Sequence, residues 1–169
     1  MQSDSRKPEN ECAGWYALKV FYNRTEQVRE QIKGLAQEIY IPRKIISSLI
    51  FVYATPSNLE YIRKDRYEWL KVYTQPGGHL PYMIPEREME VFKFVTGMED
   101  KKMTLVDPAA VNFKTGQHVR VTGGIFEGAE GYIKRIKGDK RLIVSIEGVV
   151  AVATSYIPSV YLEKLENDA

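Results

Sequence analysis

Cysteine is all but missing from this chain of 169 residues: Cys12 stands alone, which removes any intramolecular disulfide and any cysteine zinc cluster. Histidine is nearly as scarce. His79 sits in a Gly-rich turn and His118 on a strand pattern, and neither has the serine or cysteine context that nucleophilic catalysis needs. Gly123-Gly124 is not followed by the Lys-Ser/Thr of a phosphate loop. Glu86, Glu88 and Glu90 gather at a helix start, where acids suit the dipole. No catalytic residue, metal or cofactor is therefore expected, and the chain does not read as an enzyme. Long apolar runs are absent too, none approaching the roughly 18 residues that span a bilayer. The amino end, Met1–Ala13, is polar without the apolar centre of a signal peptide. It reads as a flexible tail (residues 1–13) on a cytoplasmic protein that makes no membrane contact. Strong charge of either sign is lacking as well: the net charge is +2, with 12 basic and 9 acidic side chains over residues 14–97 and 7 and 6 over 116–166. Phosphate neutralisation alone cannot carry such a protein onto nucleic acid. Any nucleic-acid contact has to be local and assisted by a partner.

The chain does hold enough apolar residues, 44% against 27% charged, for two domains of about 50 to 100 residues. Its first block alternates strands and helices. Trp15–Phe21 reads as a strand with apolar weight on both faces. Asn23 and Glu26 have the spacing of a cap and its reciprocal acid ahead of a helix over Thr25–Gln37. Pro42 ends a short strand at Ile39–Ile41, and Ser48–Ala54 is the strongest strand signal. A shorter helix opens at Pro56 with Leu59 and Ile62 inward. Glu68–Tyr73 returns as a strand, Leu80–Ile84 comes next as a short one, and Pro85 starts a helix carrying Met89, Phe92 and Val95 on one face. The expected fold class is α+β, a sandwich of an antiparallel sheet and flanking helices over residues 14–98.

Periodicity fails over residues 99–115, which read as a linker, and residues 116–166 are all strand grammar. Gln117–Thr122, Gly131–Ile136, Arg141–Glu147, Val149–Ala153 and Ser159–Leu165 predict a small five-stranded SH3-like barrel. Ile133 and Ile136 cannot share a face in a regular strand, so a bulge is expected there. Gly123, Gly124, Gly128 and Gly131 shape one loop in which Ile125 and Phe126 stand where polar residues are the rule. Lys134, Arg135, Lys137, Lys140 and Arg141 form a basic hairpin, read as a solvated face.

The glycine loop from Val119 to Gly131 resembles a KOW domain. The first block, opening Gly14-Trp-Tyr16 and continuing into the Asn-capped helix, resembles the amino-terminal domain of the NusG family of transcription elongation factors. Ser48-Leu-Ile-Phe-Val52 is similar to the family's specialised paralogues, the antiterminators of capsular polysaccharide operons. Ser47-Ser48-Leu49 stands where general members carry Pro-Gly-Tyr, and the stretch from Pro42 to Ser48 is shorter than the family's basic loop.

The resemblance implies a monomer whose first domain binds the clamp helices of RNA polymerase and suppresses pausing or termination. Tyr16, Ile46, Leu49 and Phe51 are the matching candidates for that apolar patch. Ile46 and Leu49 read as surface, whereas for Phe51 the core reading weighs more. It further implies contact with the non-template DNA strand near the first helix, where Lys19, Tyr22, Asn23 and Arg24 offer cations, a ring and an amide. A capped helix with solvated charges explains the same residues. Ile125 and Phe126 match the loop that engages ribosomal protein S10 or Rho, although a role in plugging the barrel mouth explains Phe126 as well. A ribosome-associated RNA-binding module with a KOW domain is the alternative, and it should be strongly basic.

Overall fold

The computed structural model describes residues 11–111 and 116–166. Residues 1–10 of the tail expected over 1–13, and the linker residues 112–115, lie outside the described residues. Two compact units emerge, residues 11–41 with 48–83 and residues 42–47 with 84–166.

In the first unit β1 (Gly14–Val20) pairs antiparallel with β3 (Leu49–Ala54) on one side and β4 (Leu70–Val72) on the other. β2 (Glu38–Tyr40) lines the far edge of β3, giving the order β2-β3-β1-β4. Alternation then decides which side chains meet. Tyr16, Leu18 and Val20 of β1 and Ile50 and Val52 of β3 form one core with Val28 and Ile32 of α1 (Thr25–Ile32) and Leu59 and Ile62 of α2 (Pro56–Lys64). The opposite parity, Trp15, Ala17, Leu49 and Phe51, is also buried. α2 begins as its sequence predicts, with Pro56 in the first turn and Thr55 Oγ1 accepting a hydrogen bond from Asn58 N at 3.2 Å.

α1 departs from expectation at both ends. Its N-cap is Arg24, without a side-chain cap, because Asn23 lies in the left-handed region at φ 55° and so lacks the extended backbone that capping uses. The helix stops at Ile32 instead of Gln37. Gly34 favours the break, and the carbonyl of Ile32 accepts from Leu35 N and Ala36 N in the next turn. The expected strand at Leu80–Ile84 reduces to a bridge between Thr74 and Pro81, since prolines at 81 and 85 withhold ladder donors.

The second unit contains α3 (Glu86–Thr96), which buries Met89, Phe92 and Val95 and packs on β8 (Asp139–Ile146). The helix expected to close a first domain at residue 98 therefore groups with the strands after it. The expected linker is also structured where it is described: it contributes β5 (Thr104–Val106) and a 3-10 turn at Pro108–Ala110, where Asp107 Oδ1 accepts from Ala109 N at 2.9 Å. β6 (Gln117–Val121), β7 (Glu130–Ile136), β8, β9 (Val150–Tyr156) and β10 (Leu162–Lys164) complete an antiparallel sheet in the order β10-β6-β7-β8-β9-β5. Among the described residues it has six strands, not five. Among these residues its hydrogen bonding does not close, leaving β10 and β5 as edges. The bulge sits at Arg141–Ile143 against β9. β7 runs in regular register, so Ile133 and Ile136 lie on opposite faces, each half-buried.

Candidate functional site

The most unusual backbone of the first unit lies between β1 and α1. Tyr22 and Asn23 have φ of 59° and 55°, two consecutive left-handed residues where neither is glycine. Asparagine tolerates that region, whereas for tyrosine it costs about 1 to 2 kcal/mol. The turn projects Tyr22 outward at 79% exposure, with the Phe21 ring tilted beside it at 6.3 Å. Cations frame the pair: Lys19 Nζ lies 5.3 Å from the centre of the Phe21 ring, and the Arg24 guanidinium 4.9 Å from that of Trp69. Phe21 N donates to Trp69 O at 2.8 Å, which ties the turn to the start of β4. Lys19 is directly opposite Lys71 across the β1–β4 pair, a like-charge juxtaposition that costs stability unless an anion relieves it. The four residues expected here are thus assembled, and Phe21, Trp69 and Lys71 join them. Strand pairing brings in Lys71, so periodicity alone could not have found it. Outlying backbone of this kind gathers at functional sites, and a ring among cations suits an unpaired base and its phosphates.

The expected apolar patch does not assemble on one surface. Register places Tyr16 opposite Val52 and Ala17 opposite Phe51. Tyr16 therefore points into the helix-packed core, away from the face that Leu49 and Phe51 share. Burial, and then the nearby Glu11 carboxylate, push its phenol above the ordinary range. Leu49, expected at the surface, is 2% exposed and Phe51 is fully buried. Ile46 is half-buried and lies in the 42–47 segment of the second unit.

In the glycine loop, Gly124 and Gly128 take φ of 80° and 91°, and Gly128 N and Ala129 O bond back to Val121 at 2.8 Å each. This closure splits the two expected contact residues: Ile125 is 58% exposed, whereas Phe126 is 3% exposed and fills the interior. Ile125 instead shares a small recess with Tyr156 and Tyr161, both exposed. These are the residues sequence reading missed, since each alone is an ordinary strand or turn tyrosine. In the basic hairpin Lys134, Arg135 and Lys137 are partly or fully open to solvent.

A cleft of about 540 Å³ opens beside α3, lined among others by Arg87, Glu88, His118, Glu130, Tyr132 and Glu147. Glu130 accepts from Arg87 at 2.7 Å and from Arg120 at 2.8 Å. Burial raises its carboxyl, but these two guanidiniums outweigh that and hold it below the usual range. Glu88 has the opposite balance. Its Oε2 is buried without a hydrogen bond, and burial, then the Glu147 charge, push its carboxyl up. A raised carboxyl pKa penalises the folded state once pH exceeds the unfolded value and has no effect below it. Glu88→Gln should accordingly raise the urea midpoint at neutral pH, with the gain vanishing as pH falls below the ordinary carboxylate range; a gain independent of pH would show that ionisation is not the cause. Among the described residues no three His, Cys, Asp or Glu side chains lie close enough to hold a metal ion, and no helix is long and apolar enough to cross a membrane.

No protein-family model and no curated protein sequence matches the chain. Solved structures do. Two of the MjSpt4:Spt5 complex, in conformations B and A, align over 90% of the chain and 97% and 98% of theirs, at 13% and 15% identity, but their TM-scores of 0.34 and 0.32 are too low to bear on the fold. NusG of Thermotoga maritima, solved for its domain interaction, aligns over 91% of this chain and 98% of its own with a TM-score of 0.50 at 21% identity. The chain shares the NusG fold.

Proposed function

We propose that this protein is a non-enzymatic transcription elongation factor that travels with RNA polymerase, bound at the clamp helices, and suppresses pausing or termination. The observation that carries the reading is the left-handed Tyr22–Asn23 turn with its cations, set on the NusG fold: a stacking platform suited to the non-template strand that an elongating polymerase leaves unpaired. The mild net charge of +2 agrees with a factor delivered to DNA by a protein partner. Resemblance at Ser48–Val52 favours a specialised antiterminator serving capsular polysaccharide operons. Ile125, with Tyr156 and Tyr161, supplies the apolar surface for a further partner of the second unit, ribosomal protein S10 or Rho.

Leu49 and Phe51 can serve as clamp-helix anchors only after a rearrangement uncovers them, because both are buried. Of the expected patch, Ile46 alone can be tested without attacking a core. Ile46→Asp is expected to reduce co-purification with RNA polymerase at least ~10-fold, the loss of one anchoring side chain, while circular dichroism stays unchanged. Undiminished binding would remove Ile46 from the interface. Failure of the unaltered chain to bind polymerase, together with retention of ribosomal RNA that falls steeply with salt, would replace this reading by an RNA-binding module.

A further inference from the structure

Cations crowd the end of the β7–β8 hairpin. Lys134, Arg135, Lys137, Lys140 and Arg141 fall in one short run that holds a single acid, Asp139. Register sets four of them against one another: Lys134 lies directly opposite Arg141, and Arg135 directly opposite Lys140. Like charges facing each other across a strand pair cost stability. Arg135 Nη1 donates to Gly138 O at 3.3 Å and Lys140 Nζ to Ser159 Oγ at 3.1 Å, neutral acceptors that leave both charges uncompensated. Alternation puts the two pairs on opposite faces of the hairpin. Lys137 occupies the tip in the left-handed region at φ 52°, followed by Gly138 at φ 88°. Such a two-residue turn suits the twist of a hairpin but prefers asparagine or glycine where this chain has a cation. Neighbouring strands stop short of the tip. Among the described residues β6 accompanies β7 only to Ile133, opposite Gln117, and β9 accompanies β8 only to Arg141, opposite Tyr156. The hairpin therefore ends as a two-stranded ribbon with cations on both faces and at its tip. Lys134, Arg135 and Lys137 are exposed, and Lys140 and Arg141 are half-buried.

We propose that this ribbon binds double-stranded DNA by entering the major groove and contacting phosphates on both of its walls. On a flat polyanion the ribbon would use one face, and the cations of the other face would point away. A groove lined by phosphates on both sides engages the two faces together and relieves both like-charge pairs. The major groove of B-form DNA, about 12 Å wide, admits a two-stranded ribbon, whereas that of duplex RNA is too deep and narrow for side chains to read. A single strand offers no opposing walls. Phosphate contacts position a protein without reading sequence, so the binding is independent of sequence. With a net charge of only +2 it is also local, carried by the ribbon and not by the chain as a whole. The site is separate from the Tyr22 turn and stands whether or not the chain binds polymerase.

The test measures fluorescence anisotropy of the full chain on a short DNA duplex of mixed sequence, an RNA duplex of the same sequence and an oligothymidylate, each across a salt series. The DNA duplex is expected to bind more tightly than the RNA duplex. Lys134→Gln on one face and Arg135→Gln on the other should each lower the slope of log Kd against log salt by about 0.9 in magnitude. Combined with Lys137→Gln, they should weaken duplex binding at least ~10-fold at low salt, a larger factor than for oligothymidylate. Because opposed charges are removed, the urea midpoint of this triple variant should hold or rise, which separates a lost contact from a lost fold. Lys101→Gln with Lys102→Gln removes exposed charges outside the ribbon and should leave duplex binding nearly unchanged. A DNA duplex that does not bind, an RNA duplex bound as tightly as DNA, or a triple variant that binds like the unaltered chain would overturn the proposal. So would a loss confined to one of the two single variants, because a ribbon held in a groove uses both faces.

Discussion

Gly131→Ala is expected to destabilise the second sheet severely. Gly131 has no left-handed backbone; its constraint is space. A Cβ built there would lie 2.4 Å from the backbone carbonyl oxygen of Ile143 and 3.1 Å from Leu142 Cδ1. A flexible side-chain end could swing aside, but the carbonyl belongs to the β7–β8 ladder, where Tyr132 is opposite Ile143. Leu142 is fully buried and cannot retreat. Separating the strands would break the register that puts Val119 and Val121 inside. Overpacking of this kind costs about 3 kcal/mol or more when the backbone must move, enough to lower the melting temperature of a domain of this size by roughly 10 to 20 °C. Gly128→Ala supplies the comparison: at φ 91° it is strained, yet nothing lies within 4 Å of the new carbon, so the expected cost is about 1 to 2 kcal/mol. Thermal melts tracked by circular dichroism, with hydrogen exchange over β6 to β9, measure both. A Gly131→Ala chain no less stable than Gly128→Ala would show that the strands can separate freely.

The sequence carried the glycines but not this ranking among them, and the same division runs through the fold. Periodicity marked β1, β3, α2 and α3 because each buries a regular set of apolar side chains, and those sets recur in the core. It could not see β5, since a three-residue strand held mainly by its backbone leaves Thr104 and Leu105 exposed and shows no hydrophobic pattern. Asn23 misled for a related reason: its spacing to Glu26 suits a capping box, whereas the chain reverses through the left-handed region and leaves Arg24 at the helix start. Parity parts Tyr16 from the other residues of the expected apolar patch. A strand sequence fixes that Tyr16 and Ala17 face opposite ways but not which of them meets Phe51, which pairing alone decides. Likewise Phe126 and Ile125 are equally apolar in sequence, and only the closure of Gly128 N onto Val121 O turns one inward and leaves the other outside. What stayed legible was local chemistry: Lys19, Tyr22, Asn23 and Arg24 do form one neighbourhood, because they are close along the chain.

That neighbourhood yields an expectation with opposite signs for binding and stability. Tyr22→Gly should weaken binding to single-stranded DNA while leaving the fold as stable as before or more so. Stacking of a base on an exposed ring contributes about 1 to 3 kcal/mol, so the loss is roughly 5- to 150-fold in Kd. The same substitution removes a Cβ from a residue at φ 59°, relieving about 1 to 2 kcal/mol of backbone strain against about 1 kcal/mol of added unfolded-state entropy. Tyr22→Ala keeps the strain and should lose binding equally, which separates the ring from the backbone. Lys19→Gln with Lys71→Gln should act differently. It removes phosphate contacts and the direct opposition of two positive charges, weakening binding most at low salt. With two or three cations engaged, log Kd should change with log salt at a slope of about 1.4 to 2 in magnitude. Fluorescence anisotropy on an oligothymidylate across a salt series reads the affinity and the slope, and urea denaturation reads the stability. If Tyr22→Gly lowers stability and spares binding, the tyrosine serves the fold, and the strained turn has no part in holding a strand.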